Sequence, residues 1–338
     1  MLNIGLIGIG TVSAIHLYGY EQIPEVVKVV AVCDTNPEVA EMTAERLSAR
    51  CYFDYQELLE DETVEVVDIM APHYLHYPMT KDALQAGKHV LVEKPLATSS
   101  REARELIGLA EQVDLQLGVA ENTPFVSAYQ EAKRILQDKL LGEIHTVRTF
   151  IAGTEVARLS DRQLWKGDPY KAGGGVIMDA GPHSFFLLRW LFDPVSTVRA
   201  ISPPSLPHHR VEDHALLSGS LVNGIHFSSE LSFRAELPWT ERLEIYGTNA
   251  SLVIDQLANP PATIYRGEWD FDGTPLPGVS RRVDSWKIDS IARGVCNFME
   301  SISNHTDPVV RLDYCLHVVE VVEKAYASLQ QSSTALSV

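Results

Sequence analysis

The sequence predicts an α/β fold in two parts: a doubly wound parallel sheet over residues 1–122, then a second α/β domain over residues 123–338 built on a mainly antiparallel sheet. Three observations predict it. In the first part, apolar strand-like runs alternate with helical stretches, which requires right-handed crossovers and parallel strands. From Thr123 onward the pattern changes to short strands broken by glycine, Asn-Gly and proline pairs such as Pro203-Pro204 and Pro260-Pro261, the punctuation of antiparallel hairpins. A chain of 338 residues is also longer than most single hydrophobic cores organise.

Residues 2–7 form an apolar strand that ends in Gly8-Ile9-Gly10-Thr11-Val12-Ser13, and a helix follows to residue 23. Gly8 permits a tight turn and Gly10 lets the backbone approach a pyrophosphate. Thr11 and Val12 open a helix whose N-terminal N–H groups and dipole favour phosphate. Serine stands at position 13, where the strict pattern has a third small residue, glycine or alanine. The next strand, 26–33, ends in Asp34, 21 residues beyond Ser13, the spacing of an acidic side chain that bonds ribose hydroxyls. No arginine follows in Thr35-Asn36-Pro37 to meet a 2′-phosphate, so the expected cofactor is NAD rather than NADP.

The alternation continues with helix 37–49, strand 51–53, helix 54–60, strand 64–70, helix 75–86, strand 89–93, helix 99–112 and strand 115–120. Ligands bind such sheets at the carboxyl ends of the strands. Three segments lie there: Ala71-Pro72-His73-Tyr74-Leu75-His76, Glu93-Lys94-Pro95 and Glu121-Asn122. They nominate Pro72, His73, His76, Glu93, Lys94 and Asn122 for the cofactor site. Lys94 precedes a proline, which keeps its backbone out of the helical region, and the bond between them is one of the few that can be cis. A lysine at a strand end places a cation or proton donor where a ligand's reacting group would sit.

In the second part, helix 126–139 leads to a strand at 144–151. Further strands are expected at 195–201, 214–221, 225–231, 242–246, 250–254 and 263–265, with helices at 288–303 and 312–329 and a frayed tail from 331. The informative stretch is Gly174-Gly175-Val176-Ile177-Met178-Asp179-Ala180-Gly181-Pro182-His183, before the apolar run 185–192. Asp179 is a candidate N-cap there, with Pro182 in the first helical turn. Asp179 and His183, four apart, would then share one helix face. A carboxylate beside an imidazole at a helix start is a tunable base, because dipole and burial favour the neutral ring while the carboxylate favours the cation. Glu155, Arg158, Tyr170 and Lys171 flank the glycines and are candidates for the substrate side. His208, His209 and His214 are read as loop and strand-start residues, because no cysteine or carboxylate spacing supports a metal.

Composition excludes other classes. Apolar residues make up 45% and charged residues 22%, which is that of a folded globular chain. The net charge of −17, without any lysine or arginine run, argues against nucleic acid or an anionic membrane as partner. Cys33, Cys51, Cys296 and Cys315 show no paired spacing and read as reduced thiols. The chain enters a strand at once, without a basic segment or cleavage site, and no apolar run reaches bilayer length. The expected location is cytoplasmic.

Taken together, Gly8-Ile9-Gly10 with His16, the segment 71–76, the run Ala86-Gly87-Lys88-His89-Val90-Leu91-Val92-Glu93-Lys94-Pro95-Leu96, and the stretch 174–183 resemble the Gfo/Idh/MocA oxidoreductases, the glucose–fructose oxidoreductase and inositol dehydrogenase group. The resemblance runs through nearly the whole chain. It implies an N-terminal Rossmann domain, a C-terminal domain with an open, mainly antiparallel sheet, and a homodimer or homotetramer formed through that sheet. It implies catalytic roles for Lys94, Asp179 and His183, which would meet over the nicotinamide. Where the family commonly has Trp-Arg near the cofactor, this chain has Trp165-Lys166, and lysine lacks arginine's bidentate fork. The implied activity is NAD-dependent oxidation of a secondary alcohol on a sugar, sugar derivative or cyclitol. The alternatives are a keto-sugar reductase, a redox-neutral glycosidase on tightly held NAD, and a sugar- or nucleotide-sensing regulator that keeps only the fold.

Overall fold

The computed structural model describes residues 1–276, 279 and 285–331; the expected frayed end, 332–338, lies outside them. The chain divides into two compact units, one of Met1–Phe125 with Lys287–Val319, the other of Val126–Trp286 with the residues from Glu320. Sequence reading places one boundary at residue 122, beside the first crossover at 125. The return of 287–319 to the first unit leaves no mark in composition.

The first unit runs β1 (Leu2–Ile7), α1 (Ser13–Tyr20), β2 (Val27–Cys33), α2 (Pro37–Leu47), β3 (Arg50–Tyr52), α3 (Tyr55–Leu59), β4 (Val66–Ile69), α4 (His73–Gln85), β5 (His89–Glu93), α5 (Ser100–Val113) and β6 (Leu117–Ala120). Its six strands are all parallel, in the order β3-β2-β1-β4-β5-β6. The strand order reverses beside β1, so a crevice opens at the carboxyl ends of β1 and β4. Three of these helices start where a polar side chain satisfies the orphan N–H groups: Asn36, Asp54 and Ser99 each accept from the first turn of α2, α3 and α5. α1 is shorter than expected, with Glu21 at its C-cap, and α4 begins at His73, two residues early, with Pro72 as its N-cap.

The second unit runs α6 (Ser127–Gln137), β7 (Ile144–Ala152), α7 (Val156–Ser160), α8 (Pro169–Ala172), α9 (Val176–Asp179), α10 (Gly181–Leu191), β8 (Val195–Ile201), β9 (His214–Leu221), β10 (His226–Ser232), β11 (Thr240–Gly247), β12 (Ser251–Asp255), β13 (Ala262–Tyr265) and β14 (Thr274–Pro275). The long helices α11 (Ser285–Asn304) and α12 (Leu312–Gln331) close the chain. Strand order is β14-β13-β12-β11-β7-β10-β9-β8, antiparallel at every pair except β7 with β10. The sheet is therefore mixed, mainly antiparallel. Helices α9 and α10 pack on one of its faces, where Thr149, Ser184 and Ser229 share buried hydroxyl contacts. Along β9, side chains alternate, so Leu216 and, on β8, Ile201 are left exposed. α11 returns to the first unit, where Val295, Phe298, Met299 and Ile302 enter the core formed by Ile4, Leu6, Leu17 and Val66.

Candidate active site

The first unit's candidate residues are built on strand ends. Gly8 holds φ +89°, a left-handed conformation, and a Cβ there would lie 2.7 Å from the Met70 carbonyl oxygen, so only glycine passes. A Cβ on Gly10 would instead point into open space, leaving the turn accessible to a ligand. Ser13 donates from Oγ to the Gly10 carbonyl at 2.7 Å, so the serine in the third small position locks the turn rather than merely tolerating it. No side chain caps the start of α1. The Asp34 carboxylate accepts from the Ile9 amide at 2.7 Å and from the Asn36 amide at 2.8 Å. It is thereby held at the glycine turn as well as at the end of β2. These features fit a dinucleotide, with the open helix start suited to the pyrophosphate and Asp34 to the ribose hydroxyls.

Pro72 and His73 open α4, the latter buried with its ring 5.5 Å from that of His76. His76 is fully buried, and its Nδ1 and Nε2 stand 2.7 and 2.9 Å from the carbonyl oxygens of Pro95 and Ala71. Burial is the strongest influence and lowers its pKa, and the ring bridges the loops that follow β4 and β5. Sequence reading offers His76 as a cofactor contact; the structure gives its nitrogens two backbone oxygens. Glu93 ends β5, and its carboxylate accepts from the Lys94 amide at 3.1 Å. The Lys94–Pro95 bond is cis. Asn122 is buried and donates from Nδ2 to Ser290 Oγ on α11 at 2.8 Å.

Most of the second unit's candidate residues sit on or beside short helices. Asp168 caps α8, accepting from the amides of Tyr170 and Lys171, and Tyr170 is 79% exposed. The glycines that follow are clamped by residues far along the chain. Glu212 accepts from the Gly175 amide at 3.0 Å, the Ile177 amide at 3.1 Å and the Tyr326 hydroxyl at 2.6 Å. Burial pushes the Glu212 pKa up against these bonds. A Cβ on Gly174 would fall 1.9 Å from Tyr326 Oη, and one on Gly175 1.9 Å from the Glu212 carbonyl oxygen. Gly174 and Gly175 serve this close approach, and Gly173, at φ +74°, ends α8.

The expectation that Asp179 caps the following helix is corrected. The clamp makes 176–179 a helical turn of its own, so Asp179 is the last residue of α9 and Ala180, without a side-chain cap, precedes α10. Asp179 accepts from Lys166 Nζ at 2.7 Å, with both side chains largely shielded. The lysine of Trp165-Lys166 is thus directed at the carboxylate. Pro182 and His183 lie in the first turn of α10, His183 buried. Glu155, the N-cap of α7, and Arg158 on it pair with each other at 3.3 Å.

A second clamp is nearly silent in the sequence. His209 donates from Nδ1 to Asp213 Oδ2 at 2.8 Å, while its Nε2 faces Ser160 Oγ at 3.1 Å, tying the loop before β9 to α7. Arg234 completes an ion pair with Asp213 at 2.5 Å. The only signal in the sequence is the acidic pair Glu212-Asp213 ahead of a strand. Among the described residues no cluster of three or more His, Cys, Asp or Glu side chains is arranged for a metal, no helix is long and apolar enough to cross a membrane, and all four cysteines are free.

Residues 2–121 match the oxidoreductase family with an NAD-binding Rossmann fold, and residues 129–253 match the GFO/IDH/MocA C-terminal domain. An uncharacterized oxidoreductase of Synechocystis is 30% identical over 75% of this chain and 71% of its own length. A dTDP-3,4-didehydro-2,6-dideoxy-alpha-D-glucose 3-reductase of Saccharopolyspora spinosa is 31% identical over 85% of this chain and 84% of its own. Among solved structures, a levoglucosan dehydrogenase in complex with NADH and levoglucosan shares the fold with TM-score 0.86, covering 98% of both chains at 22% identity.

Proposed function

Because the chain belongs to the Gfo/Idh/MocA family of NAD-binding oxidoreductases, we propose that it oxidises a secondary hydroxyl of a sugar, sugar derivative or cyclitol to the ketone. The observation that carries the reading is the Asp179 carboxylate, oriented by Lys166 at 2.7 Å and four residues ahead of the buried His183. Such a carboxylate polarises an imidazole that takes a hydroxyl proton. Lys94, at the end of the strand that the cofactor site shares, donates to the same oxygen and offsets its growing charge. Gly8, Gly10, Thr11, Val12 and Asp34 hold the dinucleotide, with Pro72, His73, Glu93, Asn122, Trp165 and Lys166 around it. Bound NAD supplies the hydride acceptor. Glu155, Arg158 and Tyr170 are the proposed substrate-side contacts.

The test is reduction of NAD, and separately NADP, followed at 340 nm against inositols, free sugars, levoglucosan, glycosides and amino sugars, with His183→Ala as the blank. Turnover of one class with NAD upholds the reading; full turnover by His183→Ala removes the base from it. A second reading has support in the 31% identity to a keto-sugar reductase: the same residues run backwards, with His183 giving its proton to the new alkoxide. Reduction of a keto sugar by NADH, without the forward reaction, would favour it.

The exposed sheet face around Ile201, Leu216, Arg148 and Arg242 is the proposed homodimer or homotetramer surface. Light scattering checks it, since Leu216→Asp is expected to yield monomer.

A further inference from the structure

The first unit buries an ionic cluster that the reading above does not use. His16, fully buried on α1, has Nδ1 2.8 Å from Asp68 Oδ2 on β4 and Nε2 3.1 Å from Glu93 Oε1 at the end of β5. An ionised carboxylate only accepts, so with Asp68 and Glu93 both ionised the two ring nitrogens donate and the ring is an imidazolium. Tyr20, one turn along α1, donates to the same Asp68 oxygen at 2.7 Å. The remaining titratable neighbours are Cys296 of α11, beside Tyr20, and Lys94 and His76, beside Glu93. Burial works against the charge on His16, but Asp68 and Glu93 outweigh it and push its pKa up to about 10. Burial also works upward on Glu93, yet His16 and Lys94 hold its pKa below the usual value.

Three buried charges are a costly way to join strands that apolar side chains would join as well. The cluster leads somewhere: the second Glu93 oxygen accepts from the Lys94 amide. We propose that His16 is a positioning residue of Lys94: clamped between Asp68 and Glu93, it holds the Glu93 carboxylate ionised and aimed at the Lys94 amide, and so sets the direction and the charge of the Lys94 side chain. The effect on turnover rests on the reading of Lys94 as catalytic; the electrostatic link does not.

The experiment separates the two. The full chain is reductively methylated with ¹³C-formaldehyde, and the Lys94 dimethylammonium signal, identified by its loss in Lys94→Arg, is titrated by NMR. Glu93→Gln is expected to lower the Lys94 midpoint by about one unit, the scale of a lost neighbouring counter-charge. His16→Asn is expected to move the midpoint as well, and to move it no further when added to Glu93→Gln. No shift in His16→Asn, or the same shift in both backgrounds, overturns the proposal. Should His16→Asn fail to fold, ¹⁵N shifts of His16 in the unaltered protein decide: two protonated nitrogens at pH 8 support it, a neutral ring overturns it. In parallel, turnover of NAD with levoglucosan and with myo-inositol is expected to fall about 10- to 100-fold in His16→Asn at unchanged NAD KM, the scale of a misplaced catalytic group. Lys94→Ala with full turnover would sink the catalytic reading and leave the NMR link standing.

Discussion

The two units hold their candidate residues by different means. In the first, the residues stand at the ends of long-range regular strands, and the backbone does most of the holding: Gly8 bonds to Cys33, and Asp34 takes the Ile9 and Asn36 amides. In the second, Asp179 and its neighbours ride on helices of four or five residues, too short to stand by propensity. Side chains from distant elements hold them, Glu212 and Tyr326 on the glycines and His209 with Asp213 on α7. A parallel sheet presents its strand ends whatever the side chains, whereas a face built from short helices needs a clamp for each.

The sharpest test of this contrast is to remove one chemical group from each unit. Lys94→Ala and His183→Ala are each expected to lower kcat about 10²- to 10⁴-fold while NADH fluorescence titration shows cofactor binding intact. A loss confined to one of them would place the chemistry in one unit alone. Next in size is the cofactor contrast. Asp34→Ala removes a charged acceptor worth about 1.5–3 kcal/mol, so the KM for NAD should rise about 10- to 100-fold and discrimination against NADP should shrink. Steady-state kinetics with both dinucleotides would show it.

The clamps make a smaller, local prediction. Glu212→Ala leaves the Ile177 amide and the Tyr326 hydroxyl without this acceptor and the Gly175 amide with only Tyr326 Oη, at roughly 1–3 kcal/mol for each group left unpaired. The denaturant midpoint should fall and kcat with it, at unchanged NAD affinity. A variant with lower kcat and full stability would show that Glu212 acts otherwise than by holding the glycines.

The smallest effects are in pH, where the units should part company. His16, raised to about 10, gives the first unit stability that is full below about pH 6.5, its unfolded value, and is lost as pH rises through about 10. Asp213 is the reverse case. Burial works to raise its pKa, but the Leu206 amide, His209 and Arg234 hold it low, so its contribution is present above the usual aspartate value and fades as pH falls. All five tryptophans, Trp165, Trp190, Trp239, Trp269 and Trp286, belong to the second unit, so their fluorescence follows that unit alone. Thermal melts by tryptophan emission should weaken toward acid, below about pH 4. Melts by circular dichroism should in addition weaken toward alkali. Coincident curves at every pH would mean that the units unfold as one.

Residues close in the sequence carried the first unit. Strand, glycine turn, helix and an acidic residue at fixed spacing are consecutive, so Gly8, Asp34 and Lys94 were legible as candidates for a dinucleotide half-site, and the alternation of strands and helices prescribed the parallel sheet. The amino-acid order also marked 174–183 as special through its three glycines, because glycine in such a run signals crowding or unusual backbone. What crowds them was beyond its reach. Glu212 lies 37 residues away from Gly175 and Tyr326 lies 151 away, and a carboxylate or a phenol carries no sign of the amide it will meet. The same holds for His16 on α1, whose partners stand on two strands, 52 and 77 residues on. Local pattern determines which segments become strands, turns and helices, since those are settled by neighbours in the chain. The charge on a buried imidazole, the end of α9 at Asp179 and the return of α11 to the first core depend on groups that only the folded chain brings within a few ångströms, and these the tertiary structure alone decided.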